Sequence, residues 1–216
     1  MEPKMAANAS GYIIQSQEEE LKRMALELHE GVSQNLYSIH TGLGLLEAGM
    51  KDPALKGYTR EMTQVVTRTI EEVRLLSVEL YPHTLATLGL TSALKSYAKM
   101  FTSTLGVVVD IQSSGEEKML PEPKSMALVR VCQEALINSA KYADVDQVCL
   151  RLTWEETSLE IEIQDSGKGF KLEEVMKSDA IMGIASMKER MRLADGNFHV
   201  ASEPGGGTVV SLFLTI

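Results

Sequence analysis

The sequence lacks any apolar run that approaches the roughly twenty residues needed to cross a bilayer, and its N-terminus lacks the basic and then apolar layout of a signal peptide. It also lacks an excess of positive charge, because its 216 residues carry a net charge of -9 and give a pI of about 5.0. A broad electrostatic surface for nucleic acid is therefore excluded, and any anionic ligand must be held locally. We expect a cytoplasmic protein that makes no direct contact with nucleic acid.

Cysteine is scarce as well, with Cys132 and Cys149 as the only two. Both lie in apolar contexts, and their separation matches no metal-ligand spacing. We interpret them as reduced thiols in the core of a cytosolic protein.

What the sequence does contain is a long helical pattern over residues 11–50. Its apolar residues recur at spacings of three, four or seven, as on the seam of a coiled-coil-like bundle. These residues are Ile14, Leu21, Met24, Leu28, Val32, Leu36, Ile39, Leu43, Leu46 and Met50. Pro53 interrupts the pattern, since proline removes a donor and disfavours helix at its predecessor. A second periodic run then extends to Tyr81 and Pro82.

Two long helices joined by a short turn predict an antiparallel hairpin over residues 11–82. A hairpin with one wide apolar face cannot bury that face alone, so we expect a homodimer that forms a four-helix bundle. The small and polar residues 1–10 predict a disordered lead-in, and residues 83–90 predict a linker.

Residues 91–216 alternate helices with strands, and glycine stands at positions typical of loops. Helices are expected at 91–105, 121–143 and 183–195, and strands at 107–112, 147–153, 158–164, 198–202 and 208–216. The alternation of apolar and polar residues in 147–153 and 158–164 is typical of a half-buried hairpin. The pattern predicts an α/β sandwich with helices on one face of a mixed sheet, which makes the whole chain α+β.

His29 lies off the apolar seam of the first helix, with Glu30 beside it and Gln34 one turn after Glu30. A carboxylate next to an imidazole can accept the proton of Nδ1 and make Nε2 more nucleophilic, which a histidine that attacks phosphorus requires. An exposed helical histidine is by itself more often an ordinary surface residue. Features elsewhere in the sequence are needed to distinguish these two interpretations.

Glu134, Asn138 and Lys141 lie within about 60° of one another on the helix predicted for residues 121–143. An acid, an amide and an amine on one face suit a magnesium–phosphate group, because oxygen ligands hold Mg²⁺ and the ammonium meets phosphate. A solvated helix face is the alternative for this triplet. Another sector of the same helix is predicted to pack on the sheet: Leu128, Val131, Cys132, Ala135, Ser139 and Ala143.

Asp165 follows the strand 158–164 and precedes Gly167 and Gly169. A carboxylate at a strand end can accept a hydrogen bond from an exocyclic amine, while the two glycines let a flat ring approach the backbone. A plain turn is the alternative.

Further glycines bracket residues 171–182, whose mixed composition suits a mobile lid. Gly183 stands on one side, and Gly205, Gly207 and Thr208 follow later in the chain. For residues 205–207 an ordinary polyglycine turn is the alternative.

In order and spacing, these residues resemble the N, G1, G2 and G3 boxes of the ATP-binding fold shared by gyrase, the Hsp90 chaperones, MutL and histidine kinases. The boxes correspond to Glu134 and Asn138, to Asp165, Gly167 and Gly169, to Gly183, and to Gly205, Gly207 and Thr208. Upstream, segments 27–34 and 80–94 resemble the dimerisation segment and linker of one subfamily of sensor histidine kinases. The response regulators of that subfamily typically carry a helix-turn-helix output. The resemblance covers residues 18–216.

This resemblance implies an ATP-dependent protein histidine kinase. It implies that His29 attacks the γ-phosphorus with Glu30 as the Nδ1 partner, and that the phosphoryl group passes to an aspartate of a response regulator. Gln34 resembles the amide that orients water for the reverse, phosphatase reaction.

The same resemblance implies the roles of the nucleotide residues. Asp165 would bind the adenine amino group near Thr208, in a pocket that the glycines shape. Asn138 would ligate Mg²⁺ with Glu134 beside it, and Lys141 would contact the phosphates.

The chain departs from the subfamily pattern at a few positions. Glu30 stands where aspartate is usual, which keeps the charge but moves it by a methylene and puts phosphatase geometry in doubt. Tyr142, Ala86 and Ser186 replace a frequent histidine, acid and glycine.

Two other functions stay open at this point. One is an ATPase of the same fold that transmits no phosphoryl group, and the other is a scaffold that binds a response regulator without catalysis. No segment before residue 11 could be a sensor, so we expect the input to come from an upstream region, through which any membrane link would run, or from a partner.

Overall fold

The computed structural model describes residues 2–175 and 181–216, with side chains for residues 11–173 and 182–216. The chain divides into two compact units, Met1–Pro82 and His83–Ile216. The first unit is helical, and the second contains a five-stranded sheet with helices. The predicted α+β fold class is therefore confirmed. Among the residues that the structure describes, none of the helices has the length and apolar character of a membrane span.

The first unit consists of helix α1 (Glu2–Leu26), a π-helical turn (Glu27–Val32), helix α2 (Ser33–Gly49) and helix α3 (Pro53–Leu80). Asp52 caps α3, because its carboxylate accepts hydrogen bonds from the N–H groups of Ala54 (2.8 Å) and Leu55 (3.4 Å). Proline at the start of α3 fits the first helical turn, where a missing N–H costs no hydrogen bond.

Helix α3 runs antiparallel to the helices before it. Arg60, near its start, forms an ion pair with Glu47 of α2 at 2.8 Å. Ser77, near its end, donates a hydrogen bond to the carbonyl of Ala25 in α1 at 3.0 Å. Later residues of α3 thus meet earlier residues of the preceding helices, as the predicted hairpin requires.

Helix α1 begins at Glu2, in contrast to the disordered lead-in predicted for residues 1–10. Met1 lies outside the described residues. The segment contains Lys, Met and Ala, which favour helix, and Pro3 stands in the first turn, where a helix tolerates it. The lead-in therefore extends the helix.

The predicted linker over residues 83–90 is helical as well, because helix α4 spans Thr84–Leu105. This helix is broken at Gly89, whose φ of 84° and ψ of -177° are non-helical. Just after the break, a carboxylate oxygen of Glu117 accepts the N–H of Thr91 at 3.2 Å and so caps the second part of the helix. A side chain on Gly89 would collide with that carboxylate.

The second unit continues with strand β1 (Val108–Ser114), helix α5 (Glu122–Asn138), a second π-helical turn (Ser139–Ala143), strands β2 (Gln147–Trp154) and β3 (Ser158–Asp165), helices α6 (Leu172–Val175) and α7 (Ile181–Leu193), and strands β4 (Gly196–Glu203) and β5 (Gly207–Thr215). The strand order is β1-β2-β3-β5-β4, with β1 parallel to β2 and the other neighbours antiparallel. The mixed sheet and the hairpin of β2 with β3 match the prediction.

One face of this sheet forms the core. Val148, Leu150 and Leu152 of β2 are buried, while the two residues between them are half-buried or exposed. Helices α4, α5 and α7 pack on β1, β3 and β4, respectively, and α5 also contacts the other two helices. The sector of the 121–143 segment that was predicted to face the sheet is buried throughout: Leu128, Val131, Cys132, Ala135, Ser139 and Ala143.

Candidate functional site

A cavity of about 420 Å³ in the second unit is lined by residues of α5, the second π-helical turn, α7 and the sheet. Its volume lies within the range of small-molecule sites. Its polar lining residues are Glu134, Asn138, Ser139, Lys141, Tyr142, Asp165 and Thr208. Its other lining residues are Ala135, Ala143, Ile163, Gly169, Phe170, Gly183, Ile184, Met187, Val200 and Val210.

The cavity brings together most of the predicted nucleotide residues. The seven that line it are Glu134, Asn138, Lys141, Asp165, Gly169, Gly183 and Thr208. Gly167, Gly205 and Gly207 do not line it but lie in the adjoining turns. Residues up to 74 positions apart in sequence, from Glu134 to Thr208, thus converge on one cavity, with helix α5 on one side and the end of β3 on the other.

Asp165 is the most enclosed polar residue of the site, with 5% of its surface exposed. It continues the inward-facing series of β3 after Ile161 and Ile163, so its carboxylate needs donors inside the protein. Oδ1 accepts the N–H groups of Gly167 (3.0 Å) and Thr208 (3.2 Å). These bonds fix the carboxylate at the floor of the cavity.

The loop after Asp165 is attached to the second π-helical turn. The N–H of Lys168 donates to the carbonyl of Ala143 at 2.9 Å. A Cβ at Gly167 would overlap with the same carbonyl and with the side chain of Ala143. Glycine is required here because two backbone segments approach each other closely.

Ser202 joins this loop to the turn between β4 and β5. Its hydroxyl accepts the N–H of Phe170 at 2.9 Å and donates to the carbonyl of Gly207 at 2.8 Å. Gly169 has a φ of 57°, and a Cβ on it would overlap with the carbonyl of Glu203. The two glycine-containing turns therefore form one connected floor, and Ser202 is a contributor that the glycine pattern did not indicate.

Glu134 and Asn138 lie together on α5, where the Nδ2 of Asn138 donates to Oε1 of Glu134 at 3.3 Å. Gly183 faces them, since a Cβ there would stand 2.6 Å from the same carboxylate oxygen. An amide and a carboxylate are oxygen donors of the kind that Mg²⁺ prefers. Within the described ranges, no group of three or more His, Cys, Asp or Glu side chains could hold a metal. A cation held by Asn138 and Glu134 would take its remaining ligands from other groups, such as phosphate oxygens and water.

The predicted lid over residues 171–182 is only partly described. Helix α6 occupies Leu172–Val175 and α7 begins at Ile181, while residues 176–180 lie outside the described residues.

In the first unit, His29 lies in the π-helical turn Glu27–Val32, in which no residue is buried. Glu30 and Gln34 are exposed as well. The turn is closed by Ser33, whose N–H and hydroxyl both donate to the carbonyl of Leu28. In a single protomer the imidazole is therefore open to solvent, as a phosphorus-attacking histidine requires. The sequence pattern did not indicate the π-helical geometry.

Two family models match the chain. Residues 20–85 match a model described as "Histidine kinase", and residues 124–216 match the "Histidine kinase-, DNA gyrase B-, and HSP90-like ATPase" model. The first contains His29, and the second contains the whole cavity lining.

Curated relatives cover almost all of this chain. It is 35% identical over 203 residues, which are 94% of this chain and 58% of the relative, to "Oxygen sensor histidine kinase NreB" of Staphylococcus carnosus (strain TM300). It is 32% identical over 208 residues, which are 94% of this chain and 53% of the relative, to "Signal transduction histidine-protein kinase/phosphatase DegS" of Brevibacillus brevis. The chain spans a little over half the length of each.

A solved structure shares the fold. The histidine kinase domain of the Erythrobacter litoralis EL346 blue-light activated histidine kinase aligns with a TM-score of 0.53 at 14% identity, covering 84% of this chain and 94% of that one.

Proposed function

The chain belongs to the sensor histidine kinases of two-component systems, and from this we propose that it transfers the γ-phosphoryl group of ATP to its own His29 and then to an aspartate of a response regulator. The observation that carries the proposal is the combination of an exposed imidazole at 29 with a cavity that gathers Asp165, Asn138 and Lys141. We assign phosphotransfer and dimerisation to residues 11–82 and ATP binding to residues 91–216, joined by residues 83–90.

In the proposed nucleotide site, Asp165 accepts a hydrogen bond from the adenine amino group. Its fixed carboxylate and the apolar lining around Ile163 and Met187 suit a flat heterocycle with one exocyclic amine. Lys141, which is exposed at the cavity edge, meets the phosphates as a point charge.

Asn138 and Glu134 are the residues we assign to Mg²⁺. When bound, the cation neutralises charge that develops on the phosphates during transfer. Asn138 offers a direct oxygen ligand, and Glu134 holds the amide by the hydrogen bond between them and can order water around the metal.

In the proposed transfer, Nε2 of His29 attacks the γ-phosphorus, an N–P bond forms, and the bond to the β–γ bridging oxygen breaks as ADP leaves. Glu30 accepts a hydrogen bond from Nδ1–H and stabilises the positive charge that forms on the imidazole. Phosphoryl transfer depends mainly on in-line positioning and charge neutralisation, so the rate is set by how the imidazole meets the nucleotide. Gln34 orients water for dephosphorylation of the regulator.

We also propose that the active form is a homodimer with a four-helix bundle built from two copies of residues 11–82. Its support is the seam predicted from the sequence, much of which a single protomer leaves exposed, with Leu46 58% and Ile39 52% accessible. We place the reaction in the cytoplasm, where ATP is available, and assign a regulator with helix-turn-helix output as the acceptor.

Incubation with γ-labelled ATP and Mg²⁺ tests the proposal. We expect a labelled protein whose label is lost in acid and stable in alkali, and which His29→Gln abolishes. His40→Gln is the matched control, because His40 lies in the same hairpin without the acid and amide neighbours, and it should keep the label. Label that persists in His29→Gln would contradict the proposal, and ATP hydrolysis without label would indicate a non-transmitting ATPase.

A further inference from the structure

Ser139 is a buried polar residue at the start of the second π-helical turn, with 6% of its surface exposed. Its hydroxyl lies within reach of two acceptors, Oδ2 of Asp165 at 2.8 Å and the carbonyl of Ala135 at 3.2 Å. A hydroxyl has one hydrogen to donate. Ser139 can therefore satisfy Asp165 or the helix carbonyl fully, but not both at once.

The two oxygens of Asp165 differ in their surroundings. Oδ1 accepts two backbone N–H groups, from Gly167 and Thr208, whose positions are fixed by the loop and by strand β5. Oδ2 accepts the side-chain donor Ser139. A carboxylate oxygen has room for two donors. Oδ2 is thus the oxygen whose protein donor can rotate away, and both residues line the cavity.

The position of Ser139 is set by the backbone on both sides. The preceding helix α5 carries Glu134 and Asn138 on the proposed phosphate side. At the other end of the π-helical turn, Ala143 accepts the N–H of Lys168 from the loop that follows Asp165. The turn Ser139–Ala143 is therefore attached to the Asp165 loop at its first residue through a side chain and at its last residue through a carbonyl.

We propose that Ser139 is a positioning residue for recognition of the base, which orients Oδ2 of Asp165 toward the exocyclic amine of a 6-aminopurine nucleotide. Before binding, the hydroxyl compensates the buried carboxylate. When the amine donates to Oδ2, the hydroxyl can turn to the carbonyl of Ala135, so that no buried polar group loses its partner. The inference rests on the proposed ATP site and adds a residue that acts through Asp165.

Calorimetric titration with two nucleotides separates this role from a general structural one. ATP carries the 6-amino group, and purine riboside triphosphate lacks it. We expect Ser139→Ala to weaken ATP binding by about tenfold, as the loss of a buried hydrogen bond to a charged group suggests, and to change binding of the analogue by less than about twofold. Ser139→Cys, which keeps a weaker donor, should give an intermediate loss for ATP alone.

Ser125→Ala is the matched control. Ser125 is also 6% exposed and lies near the start of α5, the helix that precedes the turn, and its hydroxyl donates to the carbonyls of Leu120 and Pro121 outside the cavity. It should leave both affinities unchanged, and thermal unfolding of each variant shows whether the fold is retained.

Equal weakening of ATP and the analogue in Ser139→Ala and Ser139→Cys would overturn the inference, because the serine would then serve the fold and not the base. Equal affinity of the wild type for the two nucleotides would overturn it too. If the wild type binds neither nucleotide, the proposed ATP site itself is wrong, which is a different result from either of these.

Discussion

The two units differ in how far each completes its own interior. Among the described side chains of the second unit, the buried apolar residues include large ones such as Tyr97, Phe101 and Leu128, all almost fully enclosed. Among those of the first unit, the buried apolar residues are Ala25, Ile70, Tyr81 and Pro82. Large apolar residues of its helices stay exposed: Tyr12, Ile13, Met24, Leu26, Val32, Tyr37, Ile39, Leu45, Leu46, Leu55, Tyr58, Val65 and Leu76.

The two units therefore hold their candidate functional residues in different ways. The cavity of the second unit is preorganised, since a buried carboxylate and two turns are held by hydrogen bonds to one another. The first unit presents His29 on an exposed turn of a helix whose apolar face is only partly covered by α3 in one protomer. Under the proposed function, the second unit binds ATP by itself, whereas the first unit needs a second copy to hold its histidine firmly.

The strongest test of preorganisation in the second unit is Asp165→Asn. An amide in place of the carboxylate would turn one donor toward the existing donors Gly167, Thr208 or Ser139, and we expect ATP binding to weaken by about 100-fold or more. Isothermal titration measures the effect. Asp110→Asn is the control, because Asp110 accepts a hydrogen bond from Gln112 outside the cavity, and it should bind ATP as the wild type does.

Thiol labelling sharpens the contrast between a closed core and its surface. Burial raises the pKa of Cys132 to about 12, so at mildly alkaline pH this group stays a neutral thiol and reacts only when the core opens. Cys149 is half-buried. We expect maleimide to modify Cys149 about 50-fold faster or more, as followed by mass spectrometry.

The raised pKa of Cys132 also makes the stability of the fold depend on pH. Because the pKa of Cys132 is higher in the folded chain, this residue contributes stability below its ordinary pKa of 9.0 that is lost as the pH rises toward about 12. Rapid labelling of Cys132 in the native protein near neutral pH would contradict the picture of a closed second unit.

Because the first unit leaves much of its apolar seam exposed, we expect a charge on that seam to weaken the proposed dimer. Leu46→Glu places a carboxylate in the proposed bundle interface, and we expect the dimer dissociation constant to rise by about tenfold to thirtyfold. Sedimentation equilibrium measures it. Phe213→Glu is the matched control, since Phe213 is a comparably exposed apolar residue of the second unit, at 41%, and it should leave association unchanged.

The smallest expected effect concerns the turn that carries His29. Ser77 and Ala25 are both fully buried where the serine hydroxyl meets the alanine carbonyl, one turn before His29. We expect Ser77→Ala to slow autophosphorylation about threefold to fivefold, in line with one lost hydrogen bond, without changing ATP affinity. Ser38→Ala is the control, because its hydroxyl bonds to the carbonyl of Gln34 within its own exposed helix. A loss of ATP affinity in Ser77→Ala would count against a role confined to the first unit.

Local patterns predicted much of the architecture. Alternation of apolar residues identified β2 and β3, and Pro53 marked the break between the long helices. Glycines were also informative, since Gly169, Gly205 and Gly207 all adopt the positive φ values expected in such turns. These features depend on residues close in sequence, so periodicity and turn chemistry can report them.

Other features depend on contacts that sequence spacing does not encode. An i to i+5 turn shifts the apolar pattern only slightly, so neither π-helical turn could be recognised. The hydrogen bond from Ser139 to Asp165 links residues 26 positions apart, and Ser202 reaches Phe170 across 32. From the sequence, Ser139 could only be assigned to the buried sector that packs on the sheet, because its partner Asp165 was not known. The helical start of α4 was missed because residues 83–90 were assigned to a linker, whereas this segment is helical with a kink at Gly89.

The central claim is that the second unit binds ATP and that His29 of the first unit only receives the phosphoryl group. The most direct test is the ATP affinity of His29→Gln, measured by calorimetry on protein that is no longer labelled by ATP. We predict an affinity within about twofold of the wild type, because the cavity and its hydrogen bonds lie wholly in residues 134–210. A loss of affinity as large as that of Asp165→Asn would contradict the account, since the imidazole would then be part of the binding site and not its target.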